Sequence, residues 1–367
     1  MLEKLTDPRD NRGKLHSQVF VITAVIMAIL SGRSKVSSIH RYIQNHIAWL
    51  RIATNFPEAK PISRAHLPRM LANINWVELN ELITEFFAAN IRQNTQNEWK
   101  AVDGKFLKGT PKNLEKQAVI HAVAHESRID VAQAKQVGNK SSEITTVRQF
   151  LTETGLEREK TTLDAHHCYN ETMSQIHHAG GSYLIQVKEN QPKLLEHCKN
   201  VALQSSIHQI IENDLGHGRI STHESHLYPL SVSDLDARWK TSGMQFLVVV
   251  NRKTIKKSTS KQTQETSYYI TNYNPSAHQN VSSELMKAVR KHWGVESNNW
   301  QLDVTFNEDN VCVSNGNQAQ VLSTLRSFAM NLLRISSYKK QNFQAVIEKF
   351  SDIPDSLVVM FRQVNFL

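Results

Sequence analysis

Near residue 99 the hydrophobic period of this chain changes, and that change limits its architecture more than any other feature. Before it, apolar residues recur at helical spacing: Ile39, Ile43, Ile47 and Leu50, then Trp76, Leu79, Leu82, Ile83, Phe86 and Phe87. Pro57 and Pro61 separate the two stretches. After it, short runs read as strands. These are Trp99 to Phe106, Ala118 to Ala124 and Ile129 to Val137, the last two closing a hairpin around Glu126-Ser127-Arg128. A helix is expected from about Glu143 to Thr154, with Ser141 or Ser142 as its N-cap. A strand Lys160 to Leu163, a helix from Asn170 to the stop at Gly180-Gly181, and a strand Ser182 to Val187 follow. That order predicts an α/β (α+β) fold, a mixed sheet with helices packed on its faces.

The remainder reads as follows. Beyond a helix around Pro192 to Ala202, residues 189 to about 275 look mostly β, with the clearest strands at Gln245 to Asn251 and Tyr268 to Tyr273. Between them lies a polar tract carrying Lys253, Lys256, Lys257 and Lys261, an exposed hairpin tip or loop whose charge suits either phosphate or water. Ser282 to about Asp303 reads helical with a break expected at Gly294, and Val321 to Ile335 reads as an amphipathic helix. The expected domains are a helical N-terminal one over 1–95 and a second over 96–367 that contains this mostly β stretch.

Charge narrows the partners. Lys and Arg outnumber Asp and Glu by 43 to 34, a formal net charge of +9, which favours a polyanion. Three cysteines, Cys168, Cys198 and Cys312, include no C-x-x-C spacing, which argues against a cysteine zinc site or a disulfide framework and fits a reducing cytoplasm. The apolar run Val19 to Leu30 is too short for a bilayer, which needs about 20 residues, and is expected to be a buried helix.

Three carboxylates stand out by context. Asp103 sits near the end of one expected strand and Asp164 directly follows another, while Glu296 lies in a helical stretch. Acidic residues at the ends of adjacent strands face one edge of a sheet, and a helix over that edge can add a third. Such oxygens suit magnesium, which binds a few carboxylates plus substrate phosphate. Each also has an ordinary reading: Asp-Gly is a turn dipeptide, an Asp after a strand caps the next helix, and a lone Glu on a helix is solvated.

The words around these residues carry a resemblance. Asp7-Pro8-Arg9-Asp10-Asn11-Arg12-Gly13-Lys14, Val102-Asp103-Gly104-Lys105, Asn139-Lys140-Ser141-Ser142-Glu143-Ile144, Leu163-Asp164-Ala165, Val187-Lys188-Glu189-Asn190-Gln191 and His217-Gly218-Arg219 occur in order. The longest match is Arg290 to Glu296, resuming from Trp300 to Asp309. Nearly end to end, the chain resembles the H-repeat-associated (ISAs-type) transposases of bacterial insertion sequences, a branch of the DDE superfamily. Where the wider superfamily shows Tyr-x2-Arg-x3-Glu-x6-Lys, this chain has Val289, His292, Glu296 and Asp303. Ser297, Asn299, Ser221 and His223 also depart from the branch pattern.

The resemblance implies a ribonuclease-H-like core with a mostly β insertion before the helix bearing the glutamate. It implies that Asp103, Asp164 and Glu296 hold two Mg2+ ions, with Mn2+ as a substitute. Water held there would cut the phosphodiester at a transposon end, and the freed 3′-hydroxyl would attack target DNA. The partners are then double-stranded DNA, ends and target, with a homodimer on DNA and no membrane. Lys105, Lys188, Arg219, Arg290 and His292 are the expected phosphate-holding groups, and Asp303 is an alternative third ligand. Trp293 and Trp300, seven residues apart on one helical face, are expected to pack in the core. Three other readings stay open: a nuclease that cuts without joining, an inactive DNA-binding remnant, and zinc at His166, His167, Cys168, His177 and His178 or at His217, His223 and His226.

Overall fold

The structure, a computed structural model, describes residues 1–10, 14–90, 97–106, 117–137, 140–216, 218–274, 281–310, 313 and 315–367. The chain forms two compact units. One comprises residues 1–95, 104–142 and 296–367, the other residues 96–103 and 143–295. One limit falls at residue 95, and the others, after residues 103, 142 and 295, fall within the stretch beyond it.

The first unit is mainly helical. Its N-terminal part holds α1 (Gln18–Leu30), α2 (Val36–Asn45), α3 (Ile47–Ala53), α4 (His66–Ala72) and α5 (Trp76–Asn90). The apolar run at 19–30 is the buried helix expected of it. Ser17 caps α1 by accepting from Phe20 N, and every residue of α1 except Val19 is buried. Gly32, at φ 79°, takes the left-handed conformation that ends the helix. The hairpin of β2 (Gln117–Ala124) and β3 (Asp130–Val137) turns at Arg128, φ 62°.

α10 (Gly316–Ile335) belongs to the same unit and is buried on nearly every side, polar residues included. Three of its polar side chains find partners inside. Thr324 donates to Gln133 Oε1 at 3.0 Å, Ser327 donates to Asp130 Oδ2 at 2.6 Å, and Asn331 donates to Asp130 O at 3.0 Å. Buried polar groups matched in this way carry no unmade-bond penalty. α11 (Phe343–Asp352) and α12 (Pro354–Gln363) complete the unit.

The second unit is a mixed sheet with helices. β1 (Lys100–Phe106), β4 (Lys160–Leu163) and β5 (Ser182–Val187) are consecutive parallel neighbours. Beyond β5 the sheet turns antiparallel through β9 (Gln262–Thr271), β8 (Phe246–Lys256), β7 (Arg219–Pro229) and β6 (His208–Gly216). Its helices are α6 (Lys140–Thr154) from Glu143 on, α7 (Asn170–His178), α8 (Pro192–Val201) and α9 (Val281–Val304) as far as Val295. This is the α/β mixed sheet with a mostly β insertion that the sequence led us to expect. α9 runs unbroken through the buried Gly294, contrary to expectation.

α9 is fixed to the sheet by its first turns. Glu284 accepts from Trp99 Nε1 (3.0 Å), Lys160 Nζ (2.7 Å) and Tyr273 OH (2.9 Å). Leu285, Ala288 and Val289 then bury against Leu184, Leu227, Val248, Val250 and Tyr269. Residues at this spacing share one helical face, and the same face continues to His292 and Glu296.

Candidate active site

Parallel register brings the two aspartates to one edge. Lys100, Ala101 and Val102 of β1 pair with Thr161, Thr162 and Leu163 of β4, so Asp103 and Asp164 follow the last paired residue of each strand. Leu163 pairs in turn with Ile185 of β5, which ends two residues later, just before Lys188. Asp164 and Lys188 thus follow the carboxyl ends of neighbouring parallel strands, where ligands bind in open α/β sheets, and Asp103 sits on β1 where its pairing with β4 stops. β1 itself continues to Phe106, further than its pairing with β4.

Asp164 does act as a cap. Its Oδ1 accepts from His166 N at 2.9 Å, opening the 3-10 turn Ala165–His167. One bond to one oxygen leaves lone pairs on the carboxylate for a cation. Asp103 is partly buried.

His292 lies beside this edge. Its Nδ1 is 2.9 Å from Thr162 Oγ1, the residue before Leu163. Burial is the main cause that drops its pKa to about 4, with His167 and Lys188 pushing the same way and Asp164 opposing. The imidazole is therefore neutral at pH 7, so it offers a hydrogen bond rather than a charge. Glu296 stands four residues on, one helical turn along the same face of α9, and is exposed. Among the described residues, no three His, Cys, Asp or Glu side chains form a ready-made metal cluster.

Two of the expected phosphate-holding cations are engaged elsewhere. Lys105 is buried in the first unit, 2.5 Å from Asp303 Oδ1 and paired with Glu308, which also faces Arg326 at 3.7 Å. Burial raises the Glu308 carboxyl, yet Lys105 and Arg326 outweigh it and hold the group below its ordinary range. Burial also lowers the Lys105 amine, but Glu308 and Asp303 more than reverse this. For Asp303 burial prevails, and its carboxyl is raised despite Lys105. Arg290 is clamped on the sheet face by Glu212 (2.6 Å) and Asp214. By contrast, Lys188 and Arg219 are exposed.

The tryptophans correct an expectation. Trp293 and Trp300 are 54% and 60% exposed, so neither packs in a core, because the buried stripe of α9 runs along a different face. Among the histidines raised for zinc, His226 faces Glu224 at 3.2 Å and His223 faces Asp214 at 3.7 Å, while His217 lies outside the described residues. Sequence reasoning missed Thr162 as a partner of His292 and overlooked the place of His167. The polar residues inside the β4 run were the available signal.

Two acids side by side where a parallel strand pairing ends, in a strongly basic chain, mark a class of protein suited to a polyanionic substrate. The family model described as Transposase DDE domain matches residues 98–332, and the model for the domain associated with it matches residues 1–87. The chain belongs to the DDE transposase family, a family of DNA transposases. YncI of Escherichia coli O157:H7 is 27% identical over 338 residues, 88% of this chain and 84% of that protein. YhhI of E. coli strain K12, H repeat-associated, is 24% identical over 330 residues, 87% of this chain and 85% of that protein. Both bear transposase names. The piggyBac transposase, solved as a synaptic complex with hairpin DNA, is similar over 94% of this chain and 72% of that one, with 10% identity and a TM-score of 0.42. Among the described residues, no helix is long and apolar enough to cross a membrane.

Proposed function

We propose that this chain is a divalent-cation-dependent DNA transposase. It would hydrolyse the phosphodiester at transposon ends and join the freed 3′-hydroxyl to target DNA. The observation that carries this reading is that Asp103 and Asp164 each directly follow the last paired residues of the parallel strands β1 and β4. Carboxylate oxygens so placed suit Mg2+, or Mn2+ in its stead, since Mg2+ needs only one or two carboxylates beside water and substrate phosphates. Glu296 on α9 is the proposed third ligand. Two cations bound there would polarise the scissile phosphate and stabilise the leaving oxygen.

The protein's own groups position the substrate. With Thr162 donating to Nδ1, His292 presents an Nε2–H donor to a phosphate oxygen. Lys188, at the end of β5, and Arg219, at the far end of the insertion, supply charge. Lys105 and Arg290 drop out of this set because their charge is already matched. Support for a duplex DNA partner comes from the outer end of the insertion sheet. There Arg219, Lys253, Lys256, Lys257 and Lys261 are all exposed, and among the described residues none has a carboxylate partner. Arg219 and Lys256 are direct cross-strand partners, an arrangement that repels unless an anion sits against it. The helices of residues 1–95 would add DNA contacts, and handling two ends would call for a homodimer.

The test is Mg2+-dependent nicking and joining on DNA carrying the element's ends. Asp103→Asn, Asp164→Asn and Glu296→Gln should each reduce nicking to background while end binding persists. Nicking without joining would make the chain a nuclease, and retained nicking in any one variant would remove that residue from the set.

A further inference from the structure

His167 lies in the turn after β4, 1% exposed, and neither ring nitrogen makes a hydrogen bond. A buried polar group left unmatched costs about 1–3 kcal/mol, so packing alone gives no reason for a histidine here. What surrounds it is acidic. Its Nε2 lies 3.5 Å from Glu143 Oε1 and 3.8 Å from Asp164 Oδ1. Glu143 is itself buried, in the first turn of α6. The Asp164 oxygen nearest the ring is the one that accepts from His166 N.

We propose that Glu143 and His167 are a positioning pair for Asp164. With its proton on Nε2, the imidazole faces both carboxylates from that one nitrogen and limits how the Asp164 carboxylate can rotate. Together with the His166 amide it holds Oδ1 toward the protein and leaves Oδ2 for a cation. Groups that hold a metal ligand from behind in this way are worth about 10–100-fold in metal affinity or activity. The proposal rests on the reading of Asp164 as a cation ligand.

The experiment is a Mn2+ titration of the full chain followed by electron paramagnetic resonance of free Mn2+, with nicking measured as a function of Mn2+ beside it. His167→Leu and Glu143→Gln should each weaken Mn2+ binding by about 10-fold or more and raise the Mn2+ needed for half-maximal nicking in step. His167→Gln, which keeps an N–H at the reach of Nε2, should recover most of the loss, which a purely space-filling role would not produce. If His167→Leu does not fold, Glu143→Gln carries the same expectation. Wild-type Mn2+ affinity in both His167→Leu and Glu143→Gln, while Asp164→Asn loses it, overturns the pair alone. So does a His167→Gln variant as weak as His167→Leu. Unchanged affinity in Asp164→Asn overturns the cation-ligand reading as well.

Discussion

Leu163 on β4 is the register partner of Val102 on β1 in a parallel pair. The next residue along each, Asp164 after β4 and Asp103 on β1, therefore lies where the pairing ends, on neighbouring strands about 4.8 Å apart. That spacing is matched to two cations about 3.5–4 Å apart on a shared phosphate. The register also places Thr162 one step inside the edge, where it meets His292.

Thr162→Val keeps the shape and removes the hydroxyl that meets His292 Nδ1. The loss of one hydrogen bond should cost about 0.5–1.5 kcal/mol, a small fall in melting temperature. Nicking should fall by about 10-fold, because the ring then loses its fixed tautomer. A large melting shift with unchanged nicking would make the contact structural only.

Glu308 offers a prediction with a pH sign. Glu308→Gln leaves Arg326 buried without its carboxylate and Lys105 with Asp303 alone, which should cost about 3–5 kcal/mol. The folded pKa of Glu308 lies below its unfolded value, so its contribution is complete above about pH 4.3 and is lost as pH falls through the folded pKa. The gap in unfolding midpoint between wild type and variant should hold from neutrality to about pH 4.3 and narrow below it. Asp303, shifted upward, works in the opposite direction but is present in both proteins. A gap that widens in acid would contradict the pairing.

The exposed tryptophans should be cheap to remove. Trp293→Ala and Trp300→Ala are each expected to change stability by less than about 0.5 kcal/mol. The fully buried Trp239 is the contrast, at about 3–5 kcal/mol. Chemical unfolding of the three variants decides this, and a Trp300→Ala cost matching that of Trp239→Ala would return Trp300 to a core.

Burial pushes the Cys168 and Cys198 thiols up to about 12. Thiolate is the reactive form, so in a Cys312→Ser background a thiol reagent at about pH 8 should label neither residue until denaturant is added. Prompt labelling of Cys168 in the native protein would show that the turn after β4 opens.

The central strands were legible because their signals are local. Lys160–Leu163 and Ser182–Val187 are short β-rich runs with Asp164 or Gly181 at one end, and both appear with the expected bounds. β6 and β7 were harder, because a half-exposed strand such as His208–Gly216 mixes polar and apolar residues on both faces. The fate of single charges was not legible at all. Lys105 read as a free cation, yet its partner Glu308 lies 203 residues away. α10 read as amphipathic, yet Ser327 meets Asp130 across 197 residues of sequence. Periodicity reports which face is polar, whereas only the fold shows whether that polar face meets water or a partner.

The most direct test of the account is where a redox-active cation sits. Fe2+ in place of Mg2+, with ascorbate and peroxide, cuts backbone adjacent to its ligands, and mass spectrometry maps the cuts. The account predicts cleavage beside Asp103, Asp164 and Glu296 together, suppressed by excess Mg2+ and lost in Asp164→Asn. Cuts confined to one of the three segments, or unaffected by Asp164→Asn, would contradict it.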